Sequence, residues 1–495
     1  MFNFKKALSA IIVALVIMCT FCSCGKDYRD AYIYFELLDE PQTLDPQIAS
    51  SDSELLIVRN IYEGLMRCDK NGEIVKGAAE NYDYDNLTYT FTLKKDLVWS
   101  DGTPLTAYDF EYAFRRAVDP KIKAPFASRL FAISNAEAIN AGSADVSSLG
   151  VKAIDDTTLT INMCREDADF LKTLATSVCM PCNEDFFINS IGKYGLDQEC
   201  IISNGSYRIT KWNKEDFGIR IYSNEKYGGD FKAQNAAVFI SCMPDETQTS
   251  RFAEHNSDMA FMPCGELENA ENAGLKIEGV QNICWFLTIN RKYSPEVRRA
   301  FAAAFSGDVY SSALPDGFEV AKSVYPSILS LDTNEIGVTE YNINESKAIM
   351  SSQISNMDGS KFPPATLYYY DTDGIKEIAT SIVGHWQQNL STFINIEPSQ
   401  NLAVLKQELT ENNVDFALFP VSATSDVFAE YARNFSAIST SNLPDTLQNE
   451  LLKGNHILPV AYQNTNIAYI SSLENVTVED FNGYIDFSFV IKNNG

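Results

Sequence analysis

The residues able to do covalent chemistry are few. Three histidines, His255, His385 and His456, lie scattered along the chain. No Gly-x-Ser-x-Gly, His-Glu-x-x-His or phosphate-binding glycine loop accompanies them. His385 falls on a helical stretch and reads as a surface or core histidine rather than a base. An enzyme is therefore not expected, and no catalytic residue, cofactor or metal ligand is assigned. Eleven cysteines are the other reactive groups. Cys19, Cys22 and Cys24 belong to the leader. The remaining eight are Cys68, Cys164, Cys179, Cys182, Cys200, Cys242, Cys264 and Cys284, whose pairing the spacing leaves open. Cys179-Met-Pro-Cys182 has redox spacing. Without a second matching pair or a thioredoxin pattern around it, core packing or a local bridge is favoured over a dithiol or half a metal site.

One thiol has a clear chemical context. Lys5 and Lys6 precede an apolar run from Ala7 to Met18, too short for a comfortable membrane span, which reads as a signal peptide. Phe21-Cys22-Ser23-Cys24 then has the form of an acylation signal, with small Ser23 before Cys24. A diacylglyceryl thioether on Cys24 would hold the chain at the extracytoplasmic face of the cell membrane. The alternative is a cleaved, freely secreted chain.

About 470 residues remain after such cleavage, enough for two or three cores. The full chain has 39 Lys and Arg against 66 Asp and Glu, a net charge of -27. That balance argues against nucleic acid and against a basic membrane-docking patch. Strand and helix signals alternate, so a mixed α/β architecture is expected. Strands are predicted over 32–38, 88–93, 159–163 and 219–222. Thr106 to Asp109 forms a capping box before a helix whose apolar stripe is Phe110, Ala113, Phe114 and Ala117, with Arg115 and Arg116 on the polar side. Ser294-Pro295 opens another helix, with Val297, Ala300, Phe301 and Ala304 on its apolar face. Beyond residue 360 the order strand 367–370, helix 375–390, strand 393–396, helix 402–409, strand 416–419 predicts a mainly parallel sheet with its ligand edge at the carboxyl ends.

Further motifs stand in order along the chain: Glu40-Pro41-Gln42-Thr43-Leu44-Asp45-Pro46, Ile61-Tyr62-Glu63-Gly64-Leu65, and above all Trp99-Ser100-Asp101-Gly102-Thr103-Pro104-Leu105-Thr106-Ala107-Tyr108-Asp109-Phe110. Asn204-Gly205-Ser206-Tyr207, Asn290 with Val297 to Ala300, and Leu458-Pro459-Val460-Ala461-Tyr462 follow. In this order the motifs resemble those of the extracellular solute-binding proteins of ABC importers, family 5, the oligopeptide, dipeptide and nickel class.

The resemblance implies a periplasmic-binding-protein-like two-lobed clamshell of the class II, cluster C type, with an extra inserted subdomain. Residues 1–23 would be the lipoprotein signal peptide and 24–30 a tether. Lobe I would comprise 31–66, 204–282 and 466–495, lobe II the insertion 67–203, and lobe III 283–465. The implied protein is a monomeric solute-binding subunit that captures an extended peptide or other small solute between lobes and delivers it to a permease driven by ATPases. The alternatives are a non-transporting peptide-signal receptor and the same fold with an oligosaccharide or metal chelate as cargo; scarce histidine argues against direct nickel ligation. Expected ligand-side residues are Asp45, Trp285, Asn290, Thr424, Asp426 and Tyr462, with core packing the rival role for Trp285. Peptide-binding relatives carry Gly-Trp-x-Ala-Asp after the strand at 416–419, its aspartate pairing with the peptide's amino terminus. Here Pro420-Val421-Ser422-Ala423-Thr424-Ser425-Asp426 stands in its place. Either Asp426 takes over by a loop shift or the amine anchor is lost; loss is favoured, because the tryptophan has gone as well.

Overall fold

The computed structural model describes residues 32–213, 218–243, 246–254, 256–324, 339–356, 362–372, 374–399, several positions between 401 and 408, 413–422, 452, 454–478 and 484–493. The leader with Cys24, His255, Thr424, Asp426 and half of the expected helix 402–409 lie outside them.

Strand β1 (Tyr32–Leu37) is followed by helix α1 (Asp52–Ile61). Ser51 caps α1 through the Glu54 amide, while the Glu54 carboxylate reaches back to the Ser51 amide, satisfying orphan donors at the helix start. Strands β2 (Met66–Cys68) and β3 (Ile74–Lys76) form a short hairpin. Strands β4 (Ala79–Asp85), β5 (Thr88–Leu93), β6 (Val151–Ala153) and β7 (Thr158–Asn162) make a four-stranded antiparallel sheet in the order β4-β5-β7-β6. Helix α2 (Ala107–Val118) packs on it, with Asp109 accepting from the Thr106 amide as the capping box requires.

Strands β8 (Tyr207–Asn213), β9 (Gly218–Ser223), β10 (Ala237–Cys242) and β11 (Met259–Phe261) return to β1, which is parallel to both β10 and β11. Helix α3 (Gln248–Ala253) lies between β10 and β11 in the chain. The chain then passes along the long strand β12 (Lys276–Ile289). Helix α4 (Pro295–Ala303), strand β13 (Phe318–Val320) and helix α5 (Ile343–Asn356) follow. Next come β14 (Ala365–Tyr370), helix α6 (Ile375–Leu390), β15 (Ile394–Ser399) and β16 (Phe416–Ser422). β14 is parallel to β15 and β16, so the predicted parallel arrangement forms. Strand β17 (Ile457–Tyr469) runs back, antiparallel to β12 along its length.

Two large apolar clusters result. One collects residues from Ile33 to Phe261 with the chain end from Ile467 to Val490. The other collects Trp285 to Ala461, centred on Phe301, Trp386 and Phe416. β12 and β17 join them. Between the two clusters these strands carry Gln281, Asn282, Gln463, Asn464 and Asn466 in place of hydrocarbon. The ladder slips there: Gln281 pairs Asn464 and Ile283 pairs Gln463, which leaves Asn282 bulged. Its side-chain oxygen accepts from the Thr465 amide at 3.1 Å and hydroxyl at 2.8 Å. No described helix is long and apolar enough to cross a membrane.

Candidate ligand-binding site

Asp45 sits in the loop after β1 and is buried. Its carboxylate accepts from both terminal nitrogens of Arg116, at 2.6 and 3.2 Å. Arg116 also donates to Gln47, whose amide nitrogen donates to the Met180 carbonyl at 2.9 Å. The guanidinium lies 4.0 Å from the Phe187 ring centre and 3.3 Å from the Cys182 sulfur. The Gly195 carbonyl accepts from the Leu44 amide at 2.7 Å, and its φ of +75° brings its backbone where a Cβ would meet the Asp45 nitrogen at 2.3 Å. Only glycine fits that approach. The Thr43 to Pro46 motif is thus a joint between the β1 loop and the α2 region. Arg116, expected on the polar side of α2, is 5% exposed and turned into this joint, because a buried carboxylate needs a countercharge.

Trp285 is 2% exposed and donates its indole N–H to the Gln463 side-chain oxygen Oε1 at 2.7 Å, with the Phe318 ring 6.3 Å away. Tyr462 stands one register step along, opposite Cys284. Its hydroxyl accepts from the Ser323 amide at 2.9 Å and donates to the Ser323 carbonyl at 3.0 Å, pinning the segment after β13. Asn290, just beyond β12, donates its amide N–H to the Asp415 carbonyl at 2.9 Å, donates its side-chain nitrogen to the Val414 carbonyl, and caps Lys292 at 2.7 Å. The structure therefore places Trp285 and Tyr462 on neighbouring strands but on opposite faces of the sheet, Asn290 at the far end of β12, and Asp45 beside the other cluster, next to Leu44.

The backbone of β16 supplies what residue types could not announce. β16 pairs with β12 from Phe416 to Ser422, but its pairing with β14 stops at Leu418. The Asn290 amide points to β16 and the Ile289 amide to β17, where it bonds the His456 carbonyl at 2.7 Å. Alternation along the antiparallel pair turns Cys284, Phe286 and Thr288 toward β16. Their partners Val421, Phe419 and Ala417 face back to β12. Phe416 and Leu418 face β14, and Pro420 and Ser422 face the edge beyond the end of that ladder. Among the described residues this edge offers the Pro420 carbonyl, without an N–H, and both backbone groups of Ser422. The edge lies at the carboxyl ends of β14 and β16, where open parallel sheets bind ligands.

The model of the bacterial extracellular solute-binding proteins, family 5 Middle, matches residues 73–441. The chain belongs to this family. Among relatives of this family 5 protein, the oligopeptide-binding protein OppA of Bacillus subtilis is 25% identical over 427 residues, covering 80% of this chain and 78% of the relative. A probable deoxycholate-binding periplasmic protein of Escherichia coli, YgiS, is 33% identical over 242 residues, covering 47% of this chain and 44% of the relative. The crystal structure of Haemophilus influenzae OppA in complex with the peptide RPPGFSPFR superposes with a TM-score of 0.79 at 18% identity, covering 94% of this chain and 99% of that one. The family 5 chain thus has the two-lobed clamshell fold, with β12 and β17 joining the lobes. Its Cys179 and Cys182 are free and buried, and burial pushes each thiol up to about 12.

Proposed function

We propose that this chain is the membrane-anchored binding subunit of an ABC importer, and that it captures an extended peptide between its lobes. The observation that carries this reading is the one-sided pairing of Pro420 and Ser422. A ligand residue lying parallel to β16 donates its N–H to the Pro420 carbonyl and accepts from the Ser422 amide. An antiparallel ligand residue facing Pro420 finds no donor there, so the proline favours the parallel direction. Main-chain bonds of this kind recognise a peptide with little regard to its side chains. The names of the oligopeptide-binding relatives support the cargo class. The polar, bulged middle of β12 and β17 supports lobe closure about those strands, since few apolar contacts need to break there. Acylated Cys24 holds the protein at the extracytoplasmic membrane face, beside a permease and its ATPases.

A second cargo reading, a blocked peptide or a non-peptide solute, is favoured by one observation: Thr424 stands where peptide binders carry an aspartate. Mass spectrometry of the ligand carried by the freshly purified protein decides between them. A mixture of short peptides supports the first reading, and a single non-peptide compound replaces it with the second. X-ray scattering with that ligand added should show a smaller radius of gyration; an unchanged profile at saturation removes the closing mechanism.

A further inference from the structure

The sheet around β1 has two unlike faces. Ile33, Phe35, Val238, Ile240, Ile219 and Ile221 point into the first core. The register puts a different set on the outer face. Tyr34 stands opposite Phe239, Phe239 opposite Arg220, Tyr222 opposite Arg208, and Arg220 opposite Lys211. Directly opposed residues share a face. The rings touch: Tyr32 lies 4.7 Å and Tyr34 5.3 Å from the Phe239 ring, and Tyr222 lies 6.0 Å from it. The Arg220 guanidinium covers Phe239 at 5.0 Å. All four rings are half-buried and Arg208 and Arg220 are exposed. Lys492 reaches the margin at Tyr34, paired with Asp258 at 2.7 Å. A chain of net charge -27 therefore gathers aromatic rings and arginines on one face beside the beginning of β1.

We propose that this face rests on the anionic headgroup surface of the membrane that holds the lipid anchor. Two observations select that occupant. Residues 25–31 are the whole chain between Cys24 and β1. Seven residues reach at most about 25 Å, so an acyl group on Cys24 keeps this face near the bilayer. The side chains also match the occupant: tyrosine and phenylalanine settle at headgroup depth, and arginine binds lipid phosphate while its stem covers apolar surface. Cations on the edge strand β8 also discourage sheet-to-sheet pairing, but that task requires no rings. The face orients a molecule whose remaining charge an anionic bilayer repels. This inference rests on the anchored reading above.

The test uses the acylated protein, its lipid on Cys24 confirmed by mass, on phosphatidylcholine vesicles with and without about one-third phosphatidylglycerol. Hydroxyl-radical footprinting should show Tyr32, Tyr222 and Phe239 protected only on the phosphatidylglycerol vesicles, and high salt should remove the protection. The variant R208Q/R220Q should lose it and retain ligand binding. The non-acylated chain should co-sediment weakly with the same vesicles, and R208Q/R220Q should lower that partitioning about 25-fold, near fivefold for each cation. Equal protection on both vesicle types, or no change in the variant, overturns the proposal. Protection without vesicles that grows with protein concentration overturns it in favour of a second copy. An unmodified Cys24 defeats the anchored reading alone, because sedimentation of the non-acylated chain still reads the face.

Discussion

Arg116 holds Asp45 through both guanidinium nitrogens inside a joint that contains Gln47, Cys182 and Phe187. The most recognisable loop of the first lobe therefore spends its carboxylate on the protein itself. Breaking a buried pair strands its partner's charge, at a cost of about 3–5 kcal/mol. Asp45→Asn should lower the urea midpoint accordingly, with Arg116→Met similar or milder. The affinity of the folded fraction for ligand should stay within about threefold, near the scatter expected of a distant site. A large loss of affinity at unchanged stability would place Asp45 on the ligand instead.

Acidification should reveal two carboxyls that the fold desolvates. Burial raises Asp109 from 3.8 to about 6, and burial with the neighbouring Asp39 does the same to Asp52. Each binds its proton more tightly folded than unfolded, so its contribution grows as pH falls through 6 and is complete below about 4. Burial alone would raise Asp486, but Arg67 and Arg59 hold it below the usual range, so its contribution is lost only in more acid solution. Asn mimics the neutral form. The stability advantage of D52N/D109N over the native chain should therefore shrink from pH 7 to pH 5 by about 1 kcal/mol per residue. Urea titrations at the two pH values measure it; an advantage that widens contradicts the assignment.

The cysteines should label in an order set by burial. Cys164 is exposed, whereas Cys179, Cys182 and Cys284 are buried with their thiols pushed up. Iodoacetamide at pH 8 should modify Cys164 first and leave those three until denaturant is added. Native labelling of Cys182 at the rate of Cys164 would mean the Arg116 joint opens.

Recognition along the β16 edge requires no charged amino terminus. Calorimetry with matched free and N-acetylated peptides should show no preference for the free amine, since Thr424 cannot neutralise an ammonium and a buried unpaired one costs several kcal/mol. A strong preference for the free amine that vanishes in Asp426→Asn would restore the anchor and assign it to Asp426.

Period and punctuation made much of the architecture legible. Alternation predicted β5 and β9, the Thr106 to Asp109 box marked the start of α2, and the strand-helix order after residue 360 predicted the parallel set β14, β15 and β16. Such signals are local: they arise from side-chain periods and orphan backbone donors within one element. The partner of Arg116 was not legible, because its carboxylate is 71 residues away and helical period alone assigns the position to solvent. The open edge at Pro420 and Ser422 depends on where β14 ends, which is a matter of register between strands. Net charge likewise argued against a basic face. Charge sums over the chain, while the pairing of β1, β10, β9 and β8 decides which rings and arginines share one surface. Sequence thus determined the elements and the family resemblance. Only long-range pairing decided which side chains were committed to the interior, which backbone edge stayed open, and which face carried the cations, because each is a relation between residues that the chain order keeps apart.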